Sequence, residues 1–152
     1  MNKLKILNNK EIKEILRLLY NQFGFIDKLD YVFLMNQRNK IYLVNRDIER
    51  LDIDNLRIDA LGLYFGEINH GSLRLSIEGS QIIGGRAKKN IVELSKEDAE
   101  SWSMGNDIDK EFNVHGFIIL KYKKDFIGCG RYKEGKIFNY VPKERRLRVV
   151  SP

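Results

Sequence analysis

The sequence predicts a mixed fold of α-helices and β-strands in two parts. A helical pattern near the N-terminus is followed by short runs of β-branched and aromatic residues, which are typical of strands. A basic spacer over residues 86–90 (RAKKN) is the best candidate for a boundary, and it divides the chain into residues 1–88 and 89–152. With 152 residues, 43% of them hydrophobic, the chain can form one domain or two small ones with a core.

The first predicted element is a helix over residues 8–24 (NNKEIKEILRLLYNQFG). Its apolar residues recur at helical spacing and form one face. Asn8 is a candidate N-cap with Glu11 three positions later, which is the capping-box pattern, and Gly24 is a typical helix stop.

The remainder of the N-terminal half reads mainly as strands. Residues 31–45 contain two β-rich runs joined by the polar residues 37–39, which predicts a hairpin. Residues 57–68 form a further apolar strand interrupted by glycines. A short helix is expected after Ser76, ending at the glycine pair 84–85.

The C-terminal half starts with a short strand, residues 90–94, and a helix capped by Ser95 that ends before Gly105. Residues 115–123 (HGFIILKYK) have an unbroken apolar centre, which favours a strand covered on both faces, as inside a small barrel.

Three further strands are predicted at the C-terminal end, over residues 126–132, 136–141 and 146–150. The first two are joined by a turn at residues 133–136. In the last, leucine and valine alternate with arginine, so the basic end of the chain is patterned as sheet rather than as a loose tail.

Positive charge is concentrated at this end. Residues 121–152 hold ten of the 27 Lys and Arg residues but three of the 21 Asp and Glu residues, so the net charge of +6 resides there. Such asymmetry favours a polyanionic partner: RNA, DNA or an anionic membrane surface. The alternative is that a basic edge strand only prevents aggregation between sheets.

Candidate RNA contacts are the cations and the asparagine on these strands and turns. They are Arg131, Lys133, Lys136, Asn139, Lys143, Arg145, Arg146 and Arg148. Gly128 and Gly130 are expected to let a ligand backbone approach closely, and Tyr132 and Tyr140 offer rings for base stacking.

The C-terminal half also carries an ordered series of motifs. They comprise a helix start, a helix-end glycine, strand glycines and an Asn-aromatic-hydrophobic-Pro-Lys signature: Leu94, Ser95, Asp98, Ala99, Gly105, Gly116, Gly128, Gly130, Asn139, Tyr140, Pro142 and Lys143. This series resembles the PUA-type RNA-binding domain, in particular the C-terminal domain of Sun/Fmu-type (RsmF-like) ribosomal RNA cytosine-5 methyltransferases and their stand-alone archaeal relatives. Residues 61–84 resemble the module that precedes PUA in those proteins.

The resemblance implies an α+β protein, with an N-terminal α/β pre-PUA-like module (residues 1–88) and a PUA-like β-barrel (residues 89–152). It adds Gly105 and Asn106, near the helix end, to the candidate RNA contacts. This chain has neither the catalytic domain of the methyltransferases nor their proline-adjacent cysteines. We therefore expect no catalysis and no cofactor.

The expected function is that of a stand-alone RNA-binding protein. It would engage structured ribosomal or transfer RNA in ribosome biogenesis or RNA modification, with an RNA methyltransferase or a preribosomal protein as a possible partner. The alternatives are a protein–protein adaptor for such a factor, in which the basic face only promotes solubility, and a small enzyme with an unrecognised site.

Other conspicuous residues have plain explanations. His70 and His115 are expected to be separate polar residues of a turn and a strand end, and no metal-site spacing is present. Trp102 and the single cysteine, Cys129, are predicted core residues. One cysteine cannot form an internal disulfide, and residues 1–15 lack the apolar core of a signal peptide, so a cytoplasmic location without a membrane is expected.

Overall fold

The structure, a computed structural model, describes residues 3–46 and 62–147. Within them, the first sheet has five strands, antiparallel to their neighbours and in the order β1-β2-β3-β4-β5. Its strands are β1 (Lys5–Ile6), β2 (Tyr31–Met35), β3 (Lys40–Asn45), β4 (Leu63–Asn69) and β5 (Ser72–Leu75). The hairpin predicted over residues 31–45 is confirmed. The part of the next predicted strand that precedes Gly62 lies outside the described residues.

Helix α1 (Asn9–Phe23) packs on this sheet and has the predicted ends. The Asn8 side chain accepts a hydrogen bond from the Glu11 backbone N–H, and the Glu11 carboxylate accepts one from the Asn8 N–H. Gly24 ends the helix in the left-handed region, at φ 64°. The capping box and the glycine stop predicted from the sequence are therefore confirmed.

Helix α2 (Ile77–Gly84) follows β5 and is capped by the Ser76 hydroxyl, as predicted. It packs so closely on β4 that a Cβ atom at Gly79 would lie 2.1 Å from the Phe65 carbonyl oxygen. Glycine is therefore required there for the helix to contact the strand backbone.

The second sheet is built from the C-terminal half and, in the described residues, has the order β6-β8-β9-β10-β7. Its strands are β6 (Ile91–Glu93), β7 (Ile108–Asp109), β8 (Gly116–Tyr122), β9 (Asp125–Lys133) and β10 (Lys136–Phe138). Only the β6–β8 pair is parallel among these strands. Helix α3 (Lys96–Ser103) has the predicted cap, the Ser95 hydroxyl.

The prediction of a last strand over residues 146–150 is wrong for residues 146 and 147, which the structure describes. β10 ends at Phe138, and Lys143–Arg145 form a 3₁₀ turn instead. Pro142 has no N–H for a sheet ladder, and the Leu147 N–H donates to the Ser103 carbonyl at the end of α3. Residues 148–150 lie outside the described residues.

Strand β8 is covered on both faces, as its apolar centre predicted. Ile118 and Leu120 are buried in one apolar cluster with Trp102, whereas Ile119 is buried in the other cluster with Phe23 of α1. The second sheet thus contributes to the core under the first. The mixed α and β fold is confirmed, and the division at residue 88 stays a prediction.

No helix in the described part of the chain is both long and apolar enough to cross a bilayer.

Candidate nucleic-acid interface

One face of the β9–β10 hairpin carries cations and aromatic rings together. The strand register places Lys133 opposite Lys136 and Arg131 opposite Phe138, and Phe117 on β8 is also opposite Arg131. Directly paired residues lie on the same face of a sheet. We call the set Phe117, Arg131, Lys133, Lys136 and Phe138 the basic–aromatic face.

A tight turn holds the basic residues of this face close together. Glu134 and Gly135 have φ angles of 50° and 77°, so a two-residue turn joins the strands. The turn predicted over residues 133–136 is confirmed. The register of the hairpin keeps the opposite face apolar, where Ile137 is fully buried.

The three cations of this face differ in their neighbours. The Nζ atom of Lys136 lies 3.6 Å from a carboxylate oxygen of Asp109 and 5.9 Å from the centre of the Phe138 ring. Arg131 and Lys133 are exposed, and within the described residues their side chains have no ion-pair or hydrogen-bond partner. They are therefore the cations most available to an anionic ligand.

The basic–aromatic face borders a groove of about 700 Å³ between the two sheets. Arg74 on β5, Arg131 and Lys133 contribute permanent positive charge to its lining, and none of the described residues that line it is an aspartate or a glutamate. The groove thus joins the N-terminal half to the predicted RNA-binding half.

Tyr140 forms part of the groove wall and is held by its neighbours. The Arg74 guanidinium carbon lies 4.5 Å from the centre of the Tyr140 ring, and the Phe117 ring lies 6.2 Å away at an angle of 59°. Tyr140 remains 37% exposed. The sequence indicated Tyr140 as a stacking group, and that role stays a prediction.

His70 and His115 both line the same groove. His70 lies in the β4–β5 turn and His115 directly before β8, as predicted, but the sequence did not predict that both would line one groove. Arg74, Phe117 and Phe138 were also missed. The only signal for them in the sequence is their register on adjacent strands, which requires the pairing to be known.

The predicted site residue Asn139 has an internal role in the structure. Its Nδ2 donates to the carbonyls of Trp102 (2.8 Å) and Asn106 (2.9 Å), and its Oδ1 accepts from the Val141 N–H (2.7 Å). The Asn139 N–H itself donates to an Asp107 carboxylate oxygen at 2.8 Å. These bonds fasten the segment after β10 to the end of α3.

Replacing Asn139 with alanine is expected to lower the free energy of unfolding by about 1–3 kcal/mol, because two carbonyls and an N–H lose their partner. Asn106→Ala is the matched control, since that side chain is exposed and its amide donates, among the described residues, only to the Ser101 hydroxyl, at 3.3 Å. Its effect should stay within about 0.5 kcal/mol. Urea unfolding of both variants measures the difference, and equal midpoints would contradict the role assigned to Asn139.

Arg146 lies across Gly105 at the end of α3. Its Nε donates to the Val141 carbonyl at 3.0 Å, and a Cβ atom at Gly105 would come within 2.4 Å of that nitrogen. Gly105 also has a φ of 97°, which favours glycine. The two predicted site residues are thus in contact, with the guanidinium partly engaged by the protein itself.

The other predicted basic residues after Pro142 do not join one surface. Arg145 makes an ion pair of 2.6 Å with Glu78 at the start of α2, whereas Lys143 is exposed without a side-chain partner among the described residues. Arg148 lies outside the described residues. The structure brings Arg131, Lys133 and Lys136 together around the β9–β10 turn. The basic residues after Pro142 lie elsewhere, because the chain leaves the sheet after Phe138.

The sequence suggested that Gly128 and Gly130 let a ligand backbone approach, whereas the structure gives both glycines a packing role next to Trp102. Both are buried, and a Cβ atom at Gly130 would lie 2.7 Å from the Trp102 and Ile137 side chains. At Gly128 it would lie 3.3 Å from the Trp102 indole nitrogen. These glycines make space for Trp102, which is 1% exposed and is confirmed as a core residue.

Cys129 is confirmed as a core residue, and burial raises the pKa of its thiol to about 12. Iodoacetamide at pH 8 is expected to leave the folded protein unlabelled, because the thiolate fraction is on the order of 10⁻⁴. Rapid labelling should begin only when urea unfolds the chain, which mass spectrometry measures. Rapid labelling without denaturant would contradict this.

The raised pKa also predicts how stability depends on pH. A cysteine in the unfolded chain ionises near pH 8.5, whereas the folded protein keeps Cys129 neutral up to about pH 12. The contribution of this thiol to the free energy of unfolding is therefore complete below about pH 8.5 and is lost as the pH rises towards 12. Burial also raises the pKa of Tyr64 to about 12, so the contribution of Tyr64 to stability falls with rising pH in the same direction. The urea midpoint should therefore fall from pH 8 to pH 10, and a rise would contradict the assignment.

Within residues 3–46 and 62–147, no three His, Cys, Asp or Glu side chains are grouped closely enough to hold a metal ion.

Comparison with known proteins finds a similarity in the C-terminal half of the chain. Residues 89–147 match the family model described as the Methyltransferase RsmF PUA domain. These residues include the basic–aromatic face, α3 and the Asn139 contacts.

The chain is also similar to ribosomal RNA small subunit methyltransferase F from three Vibrio species. It is 26% identical to that of Vibrio campbellii over 144 residues, which are 90% of this chain and 30% of the relative. The values are 24% over 143 residues for Vibrio parahaemolyticus (90% and 30%) and 25% over 138 residues for Vibrio cholerae (90% and 29%).

This chain therefore spans about 30% of the length of the curated relatives that it matches. The relatives are bacterial, and the expected likeness to archaeal proteins stays a prediction. The resemblance seen in the motifs is confirmed: the C-terminal half of this chain is similar to the PUA domain of the RsmF methyltransferases.

Proposed function

We propose that this chain binds structured RNA through the basic–aromatic face and does no chemistry of its own. The observation that carries the proposal is the pair Arg131 and Lys133, exposed beside aromatic rings and without partners among the described residues. Both lie inside the segment that matches a PUA domain.

The physical basis is the release of counterions from phosphates. Cations on a paired strand lose less conformational entropy on contact than cations on a mobile tail, so each contact retains more of its favourable free energy. The hairpin register fixes Arg131 and Lys133 two residues apart on one face, about 7 Å along the strand. That spacing suits two phosphates of one RNA strand.

The name of the relatives supports ribosomal RNA as the ligand, since they are small-subunit ribosomal RNA methyltransferases. Transfer RNA is the alternative ligand with the same chemistry. We place the protein in the cytoplasm, in RNA modification or ribosome biogenesis, beside an RNA methyltransferase or a preribosomal protein. The N-terminal half would serve as the pre-PUA-like module.

The test is the salt dependence of binding to isolated small-subunit ribosomal RNA and to transfer RNA, using the 152-residue chain alone. Two or three phosphate contacts predict that log K falls by about 1.4 to 2.7 units per tenfold rise in salt. A protein–protein adaptor predicts no RNA binding and no such slope. A flat response, or no binding to either RNA, would contradict the proposal.

A further inference from the structure

We propose that the groove between the two sheets holds one unpaired nucleotide of the bound RNA. The base would contact the rings of Tyr140 and Phe117, and the flanking phosphates would lie on Arg131 and Lys133. This inference rests on the proposed function and adds to it a ligand conformation and residues of the N-terminal half.

The size of the groove suits a single nucleotide. Its volume of about 700 Å³ lies within the range of about 300–1,000 Å³ usual for sites of small organic ligands. A base inside a helix is covered by its neighbours on both faces, so only an unpaired base has a face and an edge free to enter.

The charge of the groove suits an anionic ligand. Arg74, Arg131 and Lys133 line it, and no carboxylate does so among its described lining residues. The Glu67 carboxylate lies 3.2 Å from the Arg74 guanidinium and neutralises its charge. The net positive charge of the groove therefore comes from Arg131 and Lys133, which we take as its rim. A nucleotide would therefore place its phosphates at the rim and its base inside.

The wall of the groove offers a fixed aromatic surface. The Arg74 guanidinium, 4.5 Å from the Tyr140 ring centre, holds that ring before any ligand arrives. A base that contacts a ring held in this way costs little additional side-chain entropy. Stacking of a base on an aromatic side chain contributes about 1–3 kcal/mol.

The lining of the groove also includes polar residues that could read the edge of a base. The Nε atom of Arg74 is buried and has no hydrogen-bond partner, although buried donors are usually paired. The lining includes the imidazoles of His70 and His115, which can donate or accept hydrogen bonds. A base supplies both donors and acceptors.

The experiment compares stem-loops that are identical except for one bulged nucleotide. Four stems carry a bulged A, C, G or U, and a fifth is fully paired. Fluorescence anisotropy with the full chain should show at least about fivefold tighter binding to one or more bulged stems than to the paired stem. Equal affinity for all five stems would overturn the inference.

Variants locate the effect. Tyr140→Leu should lower the affinity for the bulged stems to that for the paired stem, whereas Tyr140→Phe should retain the preference for the bulge. Tyr20→Leu, at an exposed position on α1, is the matched control and should behave as the unmodified protein. A preference that survives Tyr140→Leu would overturn the inference.

A second measurement needs no variant. 2-Aminopurine placed at the bulge should lose fluorescence when the unmodified protein binds, because stacking on an aromatic ring quenches it. Adenosine 5′-monophosphate carries the same groups without an RNA chain and should bind more weakly than the bulged stems. Equal affinity for it, or unquenched 2-aminopurine, would overturn the inference.

The outcomes separate this inference from the proposed function. Salt-dependent binding to all stems without a preference for the bulge overturns the nucleotide site and leaves RNA binding intact. No binding to any stem overturns both.

Discussion

Replacing Arg131 and Lys133 together with glutamate is expected to weaken binding to structured RNA about 100-fold at about 0.1 M salt. Two unit charges about 4 Å apart attract by about 1 kcal/mol in water, and reversal turns each attraction into a repulsion. The two changes thus alter the binding free energy by up to about 4 kcal/mol before screening, and salt reduces that value. Filter binding or anisotropy with the unmodified chain as reference measures the loss.

The matched control is the double variant Lys123→Glu, Lys124→Glu. It changes the charge by the same amount at the β8–β9 turn, which is the opposite end of the hairpin from Lys133. Its affinity should fall less than about threefold, since only the long-range field changes. Equal losses in both double variants would show that net charge, rather than this face, determines binding.

Replacing Trp102 with alanine is expected to have the largest effect on stability, a loss of about 3–5 kcal/mol. Trp102 is 1% exposed and lies in the core of the C-terminal half with Ile118, Leu120 and Ile137. Alanine would leave a cavity beside Gly130, which has no side chain of its own to fill it. The loss is a large fraction of the total stability of a typical domain.

Thermal and urea unfolding measure this effect. For a chain of this size, the loss corresponds to a fall in the melting temperature of about 10 °C. Tyr20→Ala is the matched control, because it removes an aromatic ring from a helix position that is 57% exposed. Its melting temperature should stay within about 2 °C of the unmodified protein. A similarly small change in the melting temperature of Trp102→Ala would contradict the burial of Trp102 in the core of the C-terminal half.

Local signals in the sequence predicted the helices well. The ends of α1 depend on Asn8, Glu11 and Gly24, which are close in sequence and interact directly. The same holds for the serine caps of α2 and α3. Hydrophobic spacing over a few turns also predicted which face of α1 is buried, because burial of that face stabilises the helix.

Long-range contacts explain what the sequence did not reveal. Alternation in residues 146–150 predicted a strand, yet the Leu147 N–H is taken by the Ser103 carbonyl, more than 40 positions earlier. Likewise, His70 and His115 line one groove because the two sheets pack together. Neither contact leaves a periodic pattern, so propensity alone cannot predict it.

The sequence indicated candidate residues for the site, and the structure shows how they are arranged. Arg131, Lys133 and Lys136 were chosen for charge, and the hairpin places them together on one face. Asn139 was chosen for its amide, and the structure uses that amide internally. Residue type indicates what a side chain can bind, whereas its partner depends on which groups the fold brings near.

The location of RNA on this protein can be measured directly by ultraviolet cross-linking of the complex, followed by mass spectrometry of the cross-linked peptides. Binding through the basic–aromatic face predicts cross-links at Phe117 and Phe138, which are both opposite Arg131 in the sheet. Cross-links concentrated instead at Tyr20 on α1, with none on β8–β10, would contradict it.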